Sequence, residues 1–167
     1  LGRDEYAYKL TENVIKNYKK PMVIDADALY VLAKNEDLRS FLAPNMLLTP
    51  HIIEMSRLIG KDTKYISEHM EEVAKDFSRQ NHTNIILKAH ESIIACVDGS
   101  VYLSNFGSPA MAKGGSGDIL TGVIAGLSAL NFDIIKAARY ACLIHGSSGS
   151  MASKIKGEHG VLARDII

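Results

Sequence analysis

The residues that could do chemistry cluster in Met111-Ala112-Lys113-Gly114-Gly115-Ser116-Gly117-Asp118-Ile119-Leu120, a glycine-rich turn ending in one carboxylate. Glycines accept positive φ and let a ligand come close to the backbone. The free N–H groups of a helix start make an anion site, helped by the positive end of the helix dipole. Asp118 would then stand beside a held phosphate, where it could act as a base on a hydroxyl. A carboxylate in a first helical turn is also a common cap, so the turn alone leaves both readings open.

Three more groups have suitable types and spacing. His51 and Glu54 sit three apart at a helix start after Thr49-Pro50, which puts them on one face. A carboxylate there can hold a Mg²⁺ through water, because Mg²⁺ takes few protein ligands and prefers phosphate oxygens, or it can simply favour the helix start. Lys88 ends the apolar run Ile85-Ile86-Leu87 and could meet a phosphate as a point charge or stay solvated. Asp25 and Asp27 follow another apolar run. They could form a metal pair, although a helix cap by Asp27 is the simpler reading.

Several chemistries are absent from the pattern. The six histidines include no HExxH and no zinc spacing. His145, in Ala141-Cys142-Leu143-Ile144-His145, reads as a hydrogen-bonded core histidine. The serines after it form no GxSxG elbow, and there is no GxxxxGK[ST] loop and no GxGxxG fingerprint.

The elements needed to position these groups alternate between strand and helix. Amphipathic spacing predicts a helix over Asp4 to Lys19 through Tyr8, Leu10, Val14, Ile15 and Tyr18. Strands are expected at residues 21–24, 45–49 and 83–88, and a hairpin at 92–104 turning on Asp98-Gly99. Helices are expected at 28–33, from an Asn35 cap to Phe41, from about Pro50 to Ile59 with Gly60 ending it, over 63–81, 117–130 and 133–153, and starting near Leu162. This order predicts an α/β fold with a mainly parallel sheet and an antiparallel piece at one end. Ligands of such sheets bind beyond the carboxyl ends of the strands, so Asp25, Asp27, His51, Glu54, Lys88 and the glycine loop are expected to converge on one crevice.

Composition narrows the partners. The 167 residues hold 19 Lys+Arg against 19 Asp+Glu, so nothing in bulk charge favours nucleic acid or an anionic membrane. No apolar run spans a membrane and no signal-peptide pattern is present, so a cytoplasmic location is expected. The two cysteines, Cys96 and Cys142, lie outside any CxxC and suit buried thiols in a reducing compartment, while spacing alone leaves a disulfide open. The chain starts at Leu1 without Met and ends as a helix begins, the pattern expected of a fragment or processed product.

The motifs together resemble a known group. The corner Gly115 to Asp118 is similar to the anion hole and catalytic Asp of the ribokinase-like superfamily. More narrowly, the chain resembles the ADP/ATP-dependent NAD(P)H-hydrate dehydratases. The blocks that carry this are Val23-Ile24-Asp25-Ala26-Asp27-Ala28-Leu29, Leu48-Thr49-Pro50-His51 through Glu54, Ile86-Leu87-Lys88 through Ile94, and Met111 through Gly122. Leu143-Ile144-His145-Gly146 and Gly157-Glu158-His159-Gly160 continue the match, which runs along the whole chain.

The resemblance implies a three-layer αβα ribokinase-like fold formed by one domain over 1–167. Leu1-Gly2 resembles the end of a Gly-Pro-Gly-Leu-Gly segment, so an N-terminal third of that domain is expected elsewhere. It implies an enzyme that repairs hydrated NADH and NADPH (NADHX and NADPHX). ADP or ATP phosphorylates the ring hydroxyl, with Mg²⁺ as cofactor, and phosphate is then eliminated. Asp118 would be the base and a substrate contact. Gly115, Ser116 and Gly117 would form the anion hole, with Gly117 near the nucleotide. His51 would contact substrate, and Glu54 would hold Mg²⁺ through water. Lys88, Ala89, His90, Glu91 and Ser92 would bind nucleotide, although the family's Lys-Gly-x-x-Thr here has Ala at the second position and Ser at the last. A homo-oligomer of four or more copies is implied. The alternatives are a small-molecule kinase acting on a vitamin precursor or sugar, and a catalytically silent nucleotide-binding module.

Overall fold

The structure is a computed structural model that describes residues 2–166; Leu1, read above as part of a glycine segment, lies outside them, as does Ile167. Its chain groups into two compact units. The first comprises residues up to Ala89 with Ile93–Val101, and the second comprises His90–Ser92 with the chain from Tyr102 onward.

The first unit is built on short buried strands, β1 (Met22–Ile24), β2 (Met46–Leu48) and β3 (Asn84–Leu87). Every residue of β2 and β3 is buried, which is why Met46–Leu48 and the Ile85-Ile86-Leu87 part of β3 read as apolar runs without alternation. β1 pairs β2 in parallel with Ile24 opposite Leu48, and β2 pairs β3 in parallel with Leu48 opposite Ile85. β4 (Ser92–Ala95) runs antiparallel to β3, and β5 (Val101–Ser104) follows it, giving the strand order β1-β2-β3-β4-β5. The turn between β4 and β5 forms as its sequence predicts. Gly99 takes φ 88°, and the Asp98 carboxylate accepts the Ser100 N–H.

Helices α1 (Glu5–Asn17), α2 (Asp27–Lys34), α3 (Ile52–Ile59), α4 (Thr63–Glu68) and α5 (Met70–Asn81) complete this unit. Their apolar faces and the strands share one core that includes Leu32, Leu48, Met55, Ile66 and Leu87. Burying such side chains stabilises by about 1.5–3 kcal/mol each.

Three local expectations are corrected here. On α1 the buried stripe is Ala7, Thr11 and Ile15, while Leu10, Val14 and Tyr18 are exposed. The single helix expected over 63–81 is two helices broken at His69. There the imidazole Nδ1 meets the Tyr65 carbonyl at 2.9 Å and the ring stacks on Tyr65 at 4.5 Å. Such a side-chain bond competes with the backbone ladder. Asn35 makes no side-chain cap, and the segment after it, Glu36–Phe41, winds as a 3₁₀ helix.

The second unit contains α6 (Ser116–Ala129) and α7 (Ile134–Lys156), with short 3₁₀ turns at Pro109–Met111 and Ala163–Asp165. Asp133 caps α7 by accepting the Ile135 and Lys136 N–H groups, and these bonds hold its carboxyl below the usual range. Both cysteines are buried and outside any disulfide; burial pushes the Cys142 thiol up to about 11. Among the described residues no helix is long and apolar enough to cross a membrane.

The turn after β1 is strained. Ala26 has φ 52° and ψ −121°, and the Ala28 N–H donates to the Asp25 carbonyl across it at 3.2 Å. This is the first inner position of a type II′ turn, which glycine normally fills. Non-glycine residues held in such regions cost about 1–3 kcal/mol. Ala26→Gly is therefore expected to raise stability by about 1 kcal/mol after the entropy cost of glycine is subtracted. Urea unfolding measures it, and a loss of stability would contradict the strain.

Candidate functional site

The parallel register of β1, β2 and β3 decides which side chains stand together in the first unit. Asp25 follows β1, His51 lies just past β2, and Lys88 follows β3. The ladder extends to an isolated parallel bridge between His51 and Lys88, where the Lys88 N–H donates to the Pro50 carbonyl at 2.8 Å. The Lys88 ammonium donates to Asp25 Oδ1 at 2.9 Å, with the two side chains only 19% and 11% exposed. Lys88 is thus neither solvated nor isolated. Its ammonium has three donors, so it can keep Asp25 and still meet a phosphate oxygen.

His51 and Glu54 form a reciprocal cap on α3. The Ile53 and Glu54 N–H groups donate to His51 Nδ1, and the His51 N–H donates to Glu54 Oε2 at 2.9 Å. Because Nδ1 accepts, the ring proton sits on Nε2, which lies 3.4 Å from Glu54 Oε1. The pair on one helical face expected from the sequence is present, and it is the helix start itself that fixes it. One carboxylate beside a strand end suits a cation held mainly by phosphate oxygens and water, as Mg²⁺ is. Among the described residues there is no cluster of three or more His, Cys, Asp or Glu able to hold a metal by themselves.

Asp25 bonds Lys88 and Asp27 bonds Arg3, and the N-cap of α2 is Ala26, not Asp27. Asp27 opens α2 and accepts from the Gly2 N–H and from Arg3 Nε at 2.8 Å. The Arg3 guanidinium holds the Asp27 carboxyl below the usual range, with the Gly2 N–H helping, and itself lies 4.6 Å over the Tyr30 ring. Arg3, Ala26, Tyr30, Glu54 and Arg57 line a small pocket in this unit. The sequence reading singled out only Glu54 and the segment around Ala26 there. Arg57 stands one turn after Glu54 on α3, a spacing that could have drawn it in.

In the second unit the glycine loop forms a helix start. Gly115 is the N-cap of α6 with φ 88°, and Ser116, Gly117 and Asp118 fill the first turn. Gly115 therefore meets the positive-φ requirement, and a Cβ there would sit 3.1 Å from Ala163 Cβ. The first-turn N–H groups of a helix have no partner within it; here the Ser116 N–H donates to the Lys113 carbonyl at 3.2 Å, and those of Gly117 and Asp118 follow it at the helix start, where an anion is favoured. Asp118 is exposed, one turn inside the cap position, which removes the N-cap reading and leaves its carboxylate open to solvent. Lys113, passed over as part of the motif, donates to the His159 and Val161 carbonyls at 2.8 and 2.6 Å and anchors the loop. His145 is buried and hydrogen-bonded, as its apolar context predicts.

Of the remaining residues of the expected nucleotide segment, Ala89, His90 and Glu91 lie in the connection from β3 to β4, and Ser92 opens β4. Ala89 groups with the first unit, and His90, Glu91 and Ser92 with the second. His90 and Glu91 are exposed. A Cβ at Gly107 would come within 2.9 Å of the His90 carbonyl oxygen, so the loop carrying Gly107 closely approaches this segment.

Comparison with known proteins bears on the whole chain. A profile of the NAD(P)H-hydrate dehydratase family matches residues 1–167. The chain is 35% identical over 167 residues to a bifunctional NAD(P)H-hydrate repair enzyme of Moorella thermoacetica, covering 100% of this chain and 32% of that protein. It is similar to the ADP/ATP-dependent NAD(P)H-hydrate dehydratase of Bacillus subtilis, solved after co-crystallisation with ATP and Mg²⁺ and soaking with CoA. That match has a TM-score of 0.86 at 30% identity and covers 99% of this chain and 59% of that one. A ribokinase-like superfamily protein of Enterococcus faecalis matches with a TM-score of 0.78 at 26% identity, over 99% of this chain and 57% of that one. The fold is thus ribokinase-like, and the chain spans about a third of the length of the Moorella relative.

The half-buried pair Asp25–Lys88 yields a prediction. Asp25→Ala leaves a half-buried ammonium without this partner and is expected to cost about 1.5–3 kcal/mol, whereas Asp25→Leu with Lys88→Met removes both charges and costs less. Urea denaturation of the variants decides it; equal losses would show that the pair is not coupled.

Proposed function

The chain belongs to the NAD(P)H-hydrate dehydratase family, and on that basis we propose that it carries the nucleotide-dependent dehydration of NADHX and NADPHX. The observation that carries this reading is the corner Gly115–Asp118. It combines a left-handed glycine cap, the N–H groups of Gly117 and Asp118 in the first turn, and an exposed carboxylate at the start of a 14-residue helix. Phosphoryl transfer asks for that combination of positioned anion donors and a base, with little covalent chemistry from the protein.

In the proposed sequence the ring hydroxyl oxygen attacks the terminal phosphorus of ADP or ATP. The bond from that phosphorus to the nucleotide leaving group breaks, and Asp118 takes the hydroxyl proton. Phosphate then departs with the C–O bonding pair, a neighbouring ring carbon loses a proton, and the ring double bond is restored. Gly115, Ser116 and Gly117 hold the transferring phosphoryl oxygens. Lys88 to Ser92 bind the nucleotide, Gly117 lies near it, and His51 contacts the hydrate through its Nε2–H. Mg²⁺, when bound, neutralises phosphate charge, and Glu54 is the residue that would hold it through water. The names of the relatives and the ATP and Mg²⁺ of the Bacillus crystals support a nucleotide-dependent reaction on hydrated NAD(P)H.

Residues 1–167 are read as part of one ribokinase-like domain acting in the cytoplasm. Two buried cysteines outside any disulfide agree with a reducing compartment. The assembly is read as a homo-oligomer, for which the exposed Ile144, Met151 and Ile155 of α7 supply apolar surface.

The protein bearing this sequence, incubated with hydrated NADH, Mg²⁺ and ADP or ATP, is expected to restore the near-ultraviolet absorbance of NADH. Accumulation of a stable phosphorylated product would indicate a kinase, and no reaction with either nucleotide would overturn the proposal. Asp118→Asn is expected to lower kcat by about 10²–10⁴-fold while the melting curve stays in place.

A further inference from the structure

α7 reaches the anion loop from behind. His145, 8% exposed, sets its Nε2 2.9 Å from the Ser116 carbonyl oxygen and 3.2 Å from Ser116 Oγ. A carbonyl has no proton to give, so Nε2 carries the hydrogen and donates it. Ser116 is itself buried, in the first turn of α6.

The bond fixes more than one atom. The Ser116 carbonyl and the Gly117 N–H belong to one planar trans peptide, so they point in opposite directions. A donor that pins the carbonyl therefore pins the N–H. That N–H is one of the first-turn donors with no partner inside the helix. Glycines on α7 make the approach possible. A Cβ at Gly146 would collide with the Phe106 backbone, and one at Gly149 with the Met111 side chain. The loop leading into the corner thus lies directly on the helix that carries His145.

We propose that His145 is a positioning residue. It holds the Ser116–Gly117 peptide so that the Gly117 N–H is preset toward the transferring phosphoryl group. This rests on the reading of Gly115–Asp118 as an anion hole. Donors fixed before the reaction stabilise transition-state charge without reorganising, and losing one outright costs about 10²–10³ in kcat. Loosening one is smaller, so His145→Met is expected to lower kcat by about tenfold or more. Nucleotide KM should change by no more than about threefold, because the ground state asks less of the donor. His145→Gln has similar length and keeps an N–H donor, so it should recover most of the lost kcat.

Kinetics of wild type, His145→Met and His145→Gln, with amide NMR of Gly117, test this. The expected result is a shifted Gly117 resonance and a low kcat in the Met variant, with both restored in the Gln variant. A Met variant with wild-type kcat and an unshifted Gly117 resonance overturns the proposal, as does a Gln variant no better than Met. If the Met variant does not fold, a trans-hydrogen-bond coupling between His145 Nε2 and the Ser116 carbonyl carbon in wild type replaces it, and its absence overturns the proposal. A wild-type protein without turnover overturns the functional reading instead, and the Gly117 resonance then decides the positioning bond alone.

Discussion

The in-register parallel pairing of β1, β2 and β3 is the constraint from which the chemistry of the first unit follows. Each strand is only three or four residues long, and each ends where a polar group begins. With Ile24 beside Leu48 and Leu48 beside Ile85, Asp25, His51 and Lys88 come to neighbouring strand ends. A slip by one residue would turn every buried side chain to the other face. Both faces of β2 and β3 are buried, so the cost of a slip falls on shape packing and on the polar residues at the strand ends, and the apolar core and the polar edge are set by one choice of register.

The second unit meets a comparable need by a different device. Its glycine loop is held by helix contacts and side-chain bonds to backbone carbonyls. The Lys113 ammonium closes on two carbonyls, and His145 closes on a third. Glycines at 146 and 149 bring α7 close enough for this. Flexibility in the backbone at Gly115 and rigidity behind it are complementary, since a positive-φ cap needs neighbours that hold it.

Much of this was legible in the sequence, and the failures have physical causes. Continuous apolar runs gave β2 and β3, Asp98-Gly99 gave the hairpin, and Gly60 ended α3 because its αL conformation suits glycine. On α1 two stripes spaced by four compete, Ala7-Thr11-Ile15 and Leu10-Val14-Tyr18. Periodicity shows that a face exists without saying which one packs. The break at His69 depends on a side chain returning to the Tyr65 carbonyl, a bond no propensity encodes. Likewise, the Asp25–Lys88 pair joins residues 63 apart in sequence, and only the sheet reveals it. The capping geometry of His51 and Glu54 was visible as spacing, but the assignment of the proton to Nε2 required the atoms.

The same 63-residue separation has a kinetic side. Contacts between near neighbours close quickly, while parallel pairings must first meet the entropy of the long loops between them. The β4–β5 hairpin and the helices can form early. The joining of Asp25 to Lys88 has to wait until β1, β2 and β3 are laid side by side. In this chain the charged edge of the sheet is an end product of folding, and an incompletely folded molecule has no means of displaying it.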